Sequence, residues 1–334
     1  MTVAVLVNVH ARHGSDALGD RIASILPAAR VAVTHTLEEA QAWVRDVLRQ
    51  KPPRVLLSGG GDGTAVALLN ELRAQKVDVP VFGLLPLGTG NAWARATGQL
   101  GTRAVLDGLS KLREAAEPPV RNFRLVETCG RVTPFAGTGW DAQILADYKN
   151  MRQDPSTPLG NMGGASAGYL RSVLTRTIPR NLRRRDVPHV RVINTGEPAL
   201  TVNDYGNPIP MPNGGTGAVL YEGPISVGGA STTCELGLGF RGFPFAHLVP
   251  DRMAVRVYAG SPVEATMRLP WLWRGAHPIP NDHNFFVTKC RFEFDREVPF
   301  EIGGDLSGHE RQVELSLVRE SVSLVDWRKL LPRT

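Results

Sequence analysis

Two glycine-rich segments contain the residues of this sequence that are best suited to chemistry. Residues 58–64 read SGGGDGT, and residues 86–91 read PLGTGN. Glycine lets the backbone approach a ligand closely and adopt positive φ, so that successive N–H groups can point at one phosphate. Each segment also adds a hydroxyl and a carboxylate or amide side chain. The two segments together therefore predict a phosphate-binding site.

The segments on either side of these residues predict how they are positioned. Residues 54–57 and 79–84 are apolar runs typical of buried strands, and residues 65–72 repeat at helical spacing. The preceding chain predicts strand 3–9, helix 16–26, strand 30–34 and helix 37–49, with Thr36 as a helix cap. Strands that alternate with helices predict a parallel, doubly wound α/β domain, with the glycine segments at its strand ends.

The second half of the chain has a different pattern. Glu117-Pro118-Pro119 suggests a domain boundary, and a helix is predicted at Ala165–Arg176 between loops at 150–164 and 203–216. Short alternating strands are predicted at 122–128, 131–136, 189–193, 217–221, 253–258, 289–294 and 312–317. Glycine, proline and asparagine turns separate them, which favours an antiparallel β-sandwich.

Composition limits the class of protein. The 334 residues are 42% hydrophobic and carry a formal net charge of +6. No run of 18 apolar residues occurs and the N-terminus enters a strand directly, so we expect neither a membrane span nor a secretory signal. Three widely spaced cysteines fit a reducing compartment, which suggests a cytoplasmic protein. The positive charge favours anionic partners, but no nucleic-acid-binding motif is present, and nucleic acid is not expected.

The two glycine segments resemble the diacylglycerol kinase catalytic domain, the lipid-kinase family that includes sphingosine and ceramide kinases. The more distant NAD kinases share the first segment, whereas the second is typical of the lipid kinases. Residues 135–142, FAGTGWDA, and 168–170, GYL, extend the likeness. The resemblance implies an NAD-kinase-like α/β domain at 1–118 and a β-sandwich lipid domain at 119–318. Residues from about 319 to 334 would return to the first domain.

The resemblance also implies a reaction. It would be Mg²⁺-dependent transfer of a phosphoryl group from ATP to the hydroxyl of diacylglycerol or a similar lipid, in a cleft between the two domains. Asp62 would join the Mg²⁺–water network, with helix capping as the alternative. The residues implied to contact the nucleotide are Asn8, Thr36, Gly60, Gly61, Asp62, Gly63, Thr64, Gly88, Thr89 and Asn91.

The acidic residues of the family pattern are incomplete here. An Asp-Gly-Glu motif of the family corresponds to Gly303-Gly304-Asp305, which makes Asp305 the implied base, with Glu301 and Glu310 as further candidates. A solvated turn aspartate is the alternative for Asp305. Ala92 and Arg121-Asn122 also stand where relatives carry acids.

A second Mg²⁺ site is implied by likeness to some bacterial relatives. Its ligands would be the Asp251 carboxylate and the carbonyls of Leu248 and Met253. Oxygen atoms of this kind suit a hard cation.

Two further regions suggest contact with lipid. Residues 223–248 are apolar and glycine-rich, so Phe240, Phe243, Phe245 and Leu248 are candidates for an acyl slot, with a plain sandwich core as the alternative. Residues 269–274 combine aromatic side chains with arginine, and five arginines lie within 176–185. Both patterns suit the surface of an anionic membrane, although a solvated loop also fits the arginines.

Three interpretations stay open at this point. The first is a lipid kinase that associates peripherally with a membrane, with a homodimer as an open state. The second is an NAD kinase, against which the second glycine segment and the apolar C-terminal half argue. The third is a nucleotide- or lipid-binding protein with impaired catalysis, which the missing acids would explain.

Overall fold

The computed structural model describes residues 2–76, 78–96, 101–139, 142, 187–237 and 239–331. The predicted helix 165–176, the loop 150–164 and the arginine run 176–185 lie outside these residues. Contacts divide the chain into two compact units. The N-terminal unit is Met1–Arg124 with Glu320–Thr334, and the C-terminal unit is Leu125–Arg319.

The N-terminal unit is built on a six-stranded sheet with the order β2-β1-β3-β4-β18-β5. Its strands are β1 (Val3–Asn8), β2 (Arg30–Thr34), β3 (Val55–Gly60), β4 (Val81–Pro86), β5 (Val120–Phe123) and β18 (Val322–Val325). Neighbouring strands are parallel except for β5, which pairs antiparallel with β18 at the edge. The carboxyl ends of β2, β1, β3 and β4 therefore lie side by side.

Helices cover this sheet on both faces. They are α1 (Asp16–Ile25), α2 (Leu37–Gln50), α3 (Asp62–Ala74), α4 (Ala92–Ala96), α5 (Thr102–Glu114) and α8 (Trp327–Leu330). Helix α1 contacts α5, and α2 contacts α3. Val3, Val5 and Val7 pack into the core that contains residues of α1 and α5, while the alternating Ala4 and Leu6 are buried as well. A strand buried on both faces is typical of parallel sheets, and the doubly wound α/β prediction is confirmed.

The C-terminal unit is an antiparallel network of twelve hydrogen-bonded strands. They are β6 (Val126–Thr128), β7 (Arg131–Thr133), β8 (Phe135–Gly139), β9 (His189–Asn194), β10 (Leu200–Val202), β11 (Pro208–Pro210), β12 (Val219–Pro224), β13 (Val227–Ser231), β14 (Met253–Tyr258), β15 (Asp282–Val287), β16 (Lys289–Ile302) and β17 (Asp305–Leu317). The first half of β16 pairs with β9 and the second half with β8. Most of these strands contribute to one large apolar core, as the predicted antiparallel β class requires.

Several predicted strands differ from the observed ones. The predicted strand 122–128 is wrong, because the chain passes between units there and β5 and β6 belong to different sheets. The predicted strand 131–136 is interrupted at Pro134, which has no N–H to donate. Strand β13 was missed because its sequence, VGGAS, is weak in strand-forming residues. Strands β10, β11 and β15 were also unpredicted, and β16 and β17 are longer than expected.

Two short helices separate β14 from β15. They are α6 (Pro262–Met267) and α7 (Leu269–Arg274). Helix α7 ends at Gly275, whose φ of 65° is left-handed. Among the residues that the structure describes, no helix is long and apolar enough to cross a bilayer.

Candidate active site

Three loops meet at the carboxyl edge of the N-terminal sheet. They follow β1, β3 and β4, which are neighbours in the sheet, and two of them are the predicted glycine segments. The amides of Leu87 and Gly88 both donate to the carbonyl of Gly60, each at 3.0 Å. The two segments are thus in direct contact, as the phosphate-site prediction requires.

Glycine is needed where these two loops cross. A Cβ atom on Gly88 would overlap the Cα of Gly61, and a Cβ on Gly60 would lie 2.5 Å from the Thr64 hydroxyl oxygen. Real Cβ atoms do not approach so closely. The glycines therefore let backbone pack on backbone, which leaves amides rather than side chains to form the surface of the site.

The loop after β1 is held by polar bonds to the other two. The side-chain NH₂ group of Asn8 donates to the Thr64 hydroxyl at 3.0 Å. The side-chain oxygen of Asn8 accepts from the backbone amide of His10 at 2.9 Å. The amide of His13 donates to the carbonyl of Leu87 at 2.9 Å. Gly14 closes this loop against the backbone of Asn8, where a Cβ atom would clash. Asn8 therefore lies against the first glycine segment, and its contact with a nucleotide stays a prediction.

Helix α3 begins inside this cluster without a side-chain cap. Gly61 is its N-cap residue, and residues 61–64 are only half-buried. Helix geometry leaves the amides of the first turn, including those of Gly63 and Thr64, without an intrahelical acceptor. The helix dipole adds partial positive charge at the same end. This uncapped end is the feature of the site that best suits a phosphate group.

The Asp62 side chain joins the first glycine segment to the helix that follows the second. One carboxylate oxygen accepts from the amide of Ala92 and the other from the amide of Trp93, each at 2.9 Å. The capping alternative raised from the sequence is therefore what the structure shows, and it caps α4. Burial raises the pKa of Asp62, while the two amides and the charge of Arg95 oppose that rise.

The carboxylate of Asp62 has oxygen atoms of the kind that Mg²⁺ prefers as ligands. Asp62 is the only carboxylate within residues 8–14, 59–64 and 86–92. Each oxygen keeps a further lone pair after accepting one amide. Mg²⁺ is commonly held by one or two carboxylates together with substrate phosphates and water. One carboxylate beside an amide-lined cradle fits that pattern, and the metal role of Asp62 stays a prediction.

The second glycine segment is shaped by its own asparagine. Asn91 has a φ of 51°, and its side chain accepts from the amide of Gly88 at 3.1 Å and donates to the carbonyl of Gly88 at 2.8 Å. Thr89 is half-buried within the same turn. Asn91 therefore holds the loop in shape, and contact of Asn91 or Thr89 with a nucleotide stays a prediction.

Thr36 lies one strand further along the same edge. Its hydroxyl accepts from the amide of Glu39 at 3.1 Å and caps α2, and the residue is exposed. The helix-cap interpretation of Thr36 is thus observed, while its contact with a nucleotide remains untested.

Sequence reasoning missed the side chain that anchors the second loop. Trp93 is fully buried, with its ring 6.0 Å from that of Phe82 on β4 and 6.3 Å from that of Phe123 on β5. Its amide also bonds Asp62, so the aromatic packing and the helix cap fix the same residue. The available signal was the position of Trp93 in the sequence, two residues after the second glycine segment.

The acidic residues of β16 and β17 are placed differently from each other. Asp305 is half-buried and follows Gly303 and Gly304, whose φ values of 62° and 85° form a two-residue hairpin turn. Turn geometry therefore accounts for the two glycines. Glu301, by contrast, is 3% exposed between Phe300 and Ile302, which are themselves buried.

Glu301 lines an apolar pocket within the C-terminal unit. The pocket has a cavity volume of about 70 Å³ and an open mouth, and its wall includes Phe135, Val227, Phe240, Phe243, Leu269 and Leu272. Tyr258 is also in the wall, and its buried hydroxyl has no hydrogen-bond partner among the described residues. Arg256 is in the wall too, but its charge is balanced by Asp282 at 2.7 Å.

Only part of the predicted acyl slot faces this pocket. Phe240 and Phe243 line it, and Phe243 also packs in a cluster with Phe286 that includes Phe245 and Leu248. A slot lined by all four residues stays a prediction. The apolar composition alone could not reveal which of them line this pocket.

The other predicted acidic positions gain no further support. Asp251 is exposed in the turn before β14, which begins at Met253, and Leu248 is half-buried. No cluster of three His, Cys, Asp or Glu residues suited to a metal occurs in the described part of the chain. Arg121 and Asn122 lie on the exposed strand β5, where Asn122 accepts from the Ser323 hydroxyl at 3.0 Å. The second metal site stays a prediction.

Comparison with protein families points to the same segments. Residues 2–124 match the family model of the diacylglycerol kinase catalytic domain. A protein of Pseudomonas fluorescens named "Probable lipid kinase YegS-like" is 33% identical over 174 residues, which cover 49% of this chain and 52% of that protein. A protein of the same name from Citrobacter koseri is 40% identical over 73 residues, 20% of this chain and 23% of that protein. The matches thus span about half or less of these relatives.

Solved structures extend the likeness to the whole fold. A crystal structure of a diacylglycerol kinase from Bacillus anthracis has a TM-score of 0.61 at 14% identity and covers 97% of this chain and 96% of that one. An NAD kinase from Archaeoglobus fulgidus, crystallised in complex with ATP, has a TM-score of 0.52 at 11% identity, with 99% and 95% covered. Identities this low show the fold alone. The resemblance inferred from the two glycine segments is confirmed.

Proposed function

We propose that this chain, whose residues 2–124 match the diacylglycerol kinase catalytic domain, is an ATP-dependent lipid kinase. It transfers the γ-phosphoryl group to the hydroxyl of diacylglycerol or of a similar lipid. The observation that carries this proposal is the meeting of three loops around the uncapped end of α3. Phosphoryl transfer depends mainly on positioning and on charge stabilisation, which is what an amide-lined cradle supplies.

The residues of the N-terminal unit have distinct tasks in this proposal. The amides of Gly61, Gly63 and Thr64 and the turn at Gly88 bind phosphate oxygens. Asp62 would hold Mg²⁺ together with those oxygens, and the bound ion would supply neutralisation of the charge that develops on the phosphates. Because Asp62 also caps α4, it couples the ion to the shape of the second loop.

Two carboxylates compete for the role of base toward the lipid hydroxyl. Asp305 is the residue that the family pattern implies, and its half-buried place at a hairpin turn leaves it accessible. Glu301 is instead buried in the wall of the apolar pocket, where the lipid is proposed to bind. Both residues lie at the same end of the β16–β17 hairpin. The base is therefore proposed to be one of these two.

The apolar pocket supports a lipid rather than a dinucleotide as the acceptor. Its wall consists mainly of phenylalanine, leucine, valine and glycine residues. Acyl chains gain from such a surface, whereas the ribose and phosphate groups of NAD would lose their hydration there.

The direct test is to incubate the protein with γ-labelled ATP, Mg²⁺ and one acceptor at a time. Diacylglycerol, ceramide, sphingosine and NAD are compared, and labelled products are separated by chromatography. We expect label in a lipid and none in NADP. Label in NADP alone would replace the proposal by an NAD kinase, and ATP binding without transfer to any acceptor would indicate an impaired member of the family.

The same assay distinguishes the two candidate bases. Asp305→Asn and Glu301→Gln are compared with Glu314→Gln, an exposed carboxylate on the same hairpin. Loss of the base should lower kcat by 10²- to 10⁴-fold, roughly the usual contribution of such a group. The control should keep full activity. Full activity in both Asp305→Asn and Glu301→Gln would exclude both assignments.

A further inference from the structure

The helices α6 and α7 expose an unusual concentration of apolar side chains. Five of the ten large hydrophobic residues that are exposed in the described part of the chain lie here, and we call them the α6–α7 apolar face: Val263, Met267, Leu269, Trp271 and Trp273. Met267 is 66% exposed and Trp271 is 57% exposed. Their summed exposed area is roughly 500 Å², at about half exposure of large side chains. An apolar patch of that size is comparable to the largest on a typical monomer, which often has a function.

The same segment forms part of the wall of the apolar pocket. Leu272 is buried and lines the pocket, whereas its sequence neighbours Trp271 and Trp273 are exposed. Leu269 lines the pocket as well but is 47% exposed, so it lies at the rim. The α6–α7 apolar face therefore includes one residue, Leu269, at the mouth of the pocket.

Arginines surround this face. Arg274 and Arg241 are exposed, and the backbone amide of Arg241 donates to the carbonyl of Trp273 at 3.0 Å. Glu264 is the acidic residue of the two helices. The charge of Arg268, at a distance of 3.2 Å, balances that of Glu264. The face is thus apolar at its centre and positive at its edge.

We propose that the α6–α7 apolar face docks on the surface of an anionic phospholipid bilayer. Tryptophan and arginine are typical of the membrane interface, because each combines an apolar part with a polar group that stays at the headgroups. Docking in this way brings the mouth of the pocket to the acyl chains. A lipid then enters the pocket without crossing water, a consequence that rests on the proposed lipid kinase function.

A second copy of this chain is the competing occupant. A standard protein interface buries about 800 Å² on each partner, which exceeds the roughly 500 Å² available here. Edge arginines would also face one another across a symmetric contact, because the same patch is used twice. The bilayer is therefore the better match.

The test measures sedimentation of the protein with vesicles in the absence of ATP. Vesicles of equimolar phosphatidylcholine and phosphatidylglycerol are compared with vesicles of phosphatidylcholine alone. We expect clear binding to the first and weaker binding to the second. The double variant Met267→Ser, Trp271→Ser should bind at least tenfold more weakly, given the apolar area removed. Leu37→Ser, at an exposed leucine of the N-terminal unit, should bind like the unchanged protein.

A milder variant tests the geometry without removing apolar surface. Trp271→Phe should keep its binding to the anionic vesicles, but quenching of tryptophan fluorescence by brominated acyl chains should fall. Arg274→Gln should weaken binding to the anionic vesicles several-fold and leave binding to phosphatidylcholine unchanged. Unaltered quenching in the double variant Trp271→Phe, Trp273→Phe would place a tryptophan from outside the α6–α7 apolar face in the bilayer and overturn the assignment.

The remaining outcomes separate docking from catalysis. Equal binding by the double variant and Leu37→Ser overturns the docking proposal, whether or not lipid is phosphorylated. A dimer that Met267→Ser converts to a monomer in light scattering also overturns it, in favour of a second copy. Vesicle binding without phosphorylation of any lipid would leave docking supported and the kinase proposal refuted.

Discussion

The glycine loops of the N-terminal unit and the apolar pocket of the C-terminal unit are built on opposite plans. The loops form a site from backbone amides. Their backbones can touch at Gly60, Gly61 and Gly88 because these residues have no side chain. The pocket forms a site from side chains, which come from strands and helices far apart in the sequence. One site is polar and accessible, and the other is apolar and largely enclosed.

This difference teaches how each site tolerates change. A backbone site depends on the absence of a side chain, so one added methyl group should disrupt it. A side-chain pocket depends on total volume and shape, so it should change its preference gradually. The four predictions below test that contrast, from the largest expected effect to the smallest.

Gly88→Ala should have the largest effect. Its Cβ would overlap Gly61, so the two loops must separate and the phosphate cradle should be lost. We expect kcat/KM to fall on the order of a hundredfold or more, since small misplacements at a reacting group have such effects. Titration calorimetry with ATP and the labelling assay measure the change.

Gly101→Ala is the matched control for that prediction. Gly101 precedes α5, and a Cβ there would meet no atom within 4 Å. Comparable losses in both variants would show that general destabilisation, rather than crowding of the two loops, explains the result for Gly88.

Leu269→Trp should have a smaller and more selective effect. The larger ring narrows the mouth of the pocket but keeps the surface apolar, so membrane docking should persist. We expect the KM for a long-chain lipid to rise about tenfold, in the range typical of a reshaped apolar pocket. The KM for ATP should not change. An equal rise for both substrates would contradict the separation of the two sites.

Asn8→Ala should have a modest effect. It removes the hydrogen bond to the Thr64 hydroxyl, which contributes about 1 kcal/mol to the free energy of unfolding. The KM for ATP should rise several-fold because the first loop loses its link to α3. Asn122→Ala removes a comparable bond at an exposed edge and should leave the KM for ATP unchanged. Denaturant unfolding and steady-state kinetics measure both.

Asp62→Asn should reveal the smallest effect, in the pH dependence of stability. Burial raises the pKa of Asp62 above its ordinary value of 3.8, so the unfolded chain releases this proton at lower pH than the folded one. The contribution of Asp62 to the free energy of unfolding is therefore fully present below pH 3.8. It is lost as the pH rises through the pKa that Asp62 has in the folded protein. The advantage of the unchanged protein over Asp62→Asn should shrink as the pH rises from that value toward neutrality. An advantage that grows over that range would show that the amide bonds outweigh burial.

The sequence by itself determined the elements that form the cradle. Strand, glycine segment and helix follow one another locally around residues 55–74 and 81–96, and their order predicts the site. The contact between the loops at Gly60, Gly61 and Gly88 could be anticipated because few other residues fit turns this tight, while the nucleotide contacts of these residues stay a prediction. Even there, the double role of Asn91 and Asp62 as loop and helix supports needed three-dimensional contacts.

Only the tertiary structure decided the pocket and the apolar face. Leu269 and Leu272 lie on one short helix, yet one is at the rim and the other in the wall, and Phe243 faces the pocket while Phe245 does not. Such choices depend on how β8, β13, β14 and β16 are paired over long separations in the chain. Apolar composition predicts that residues avoid water. Only the long-range pairing of strands determines whether those residues contact the core, a ligand or a membrane.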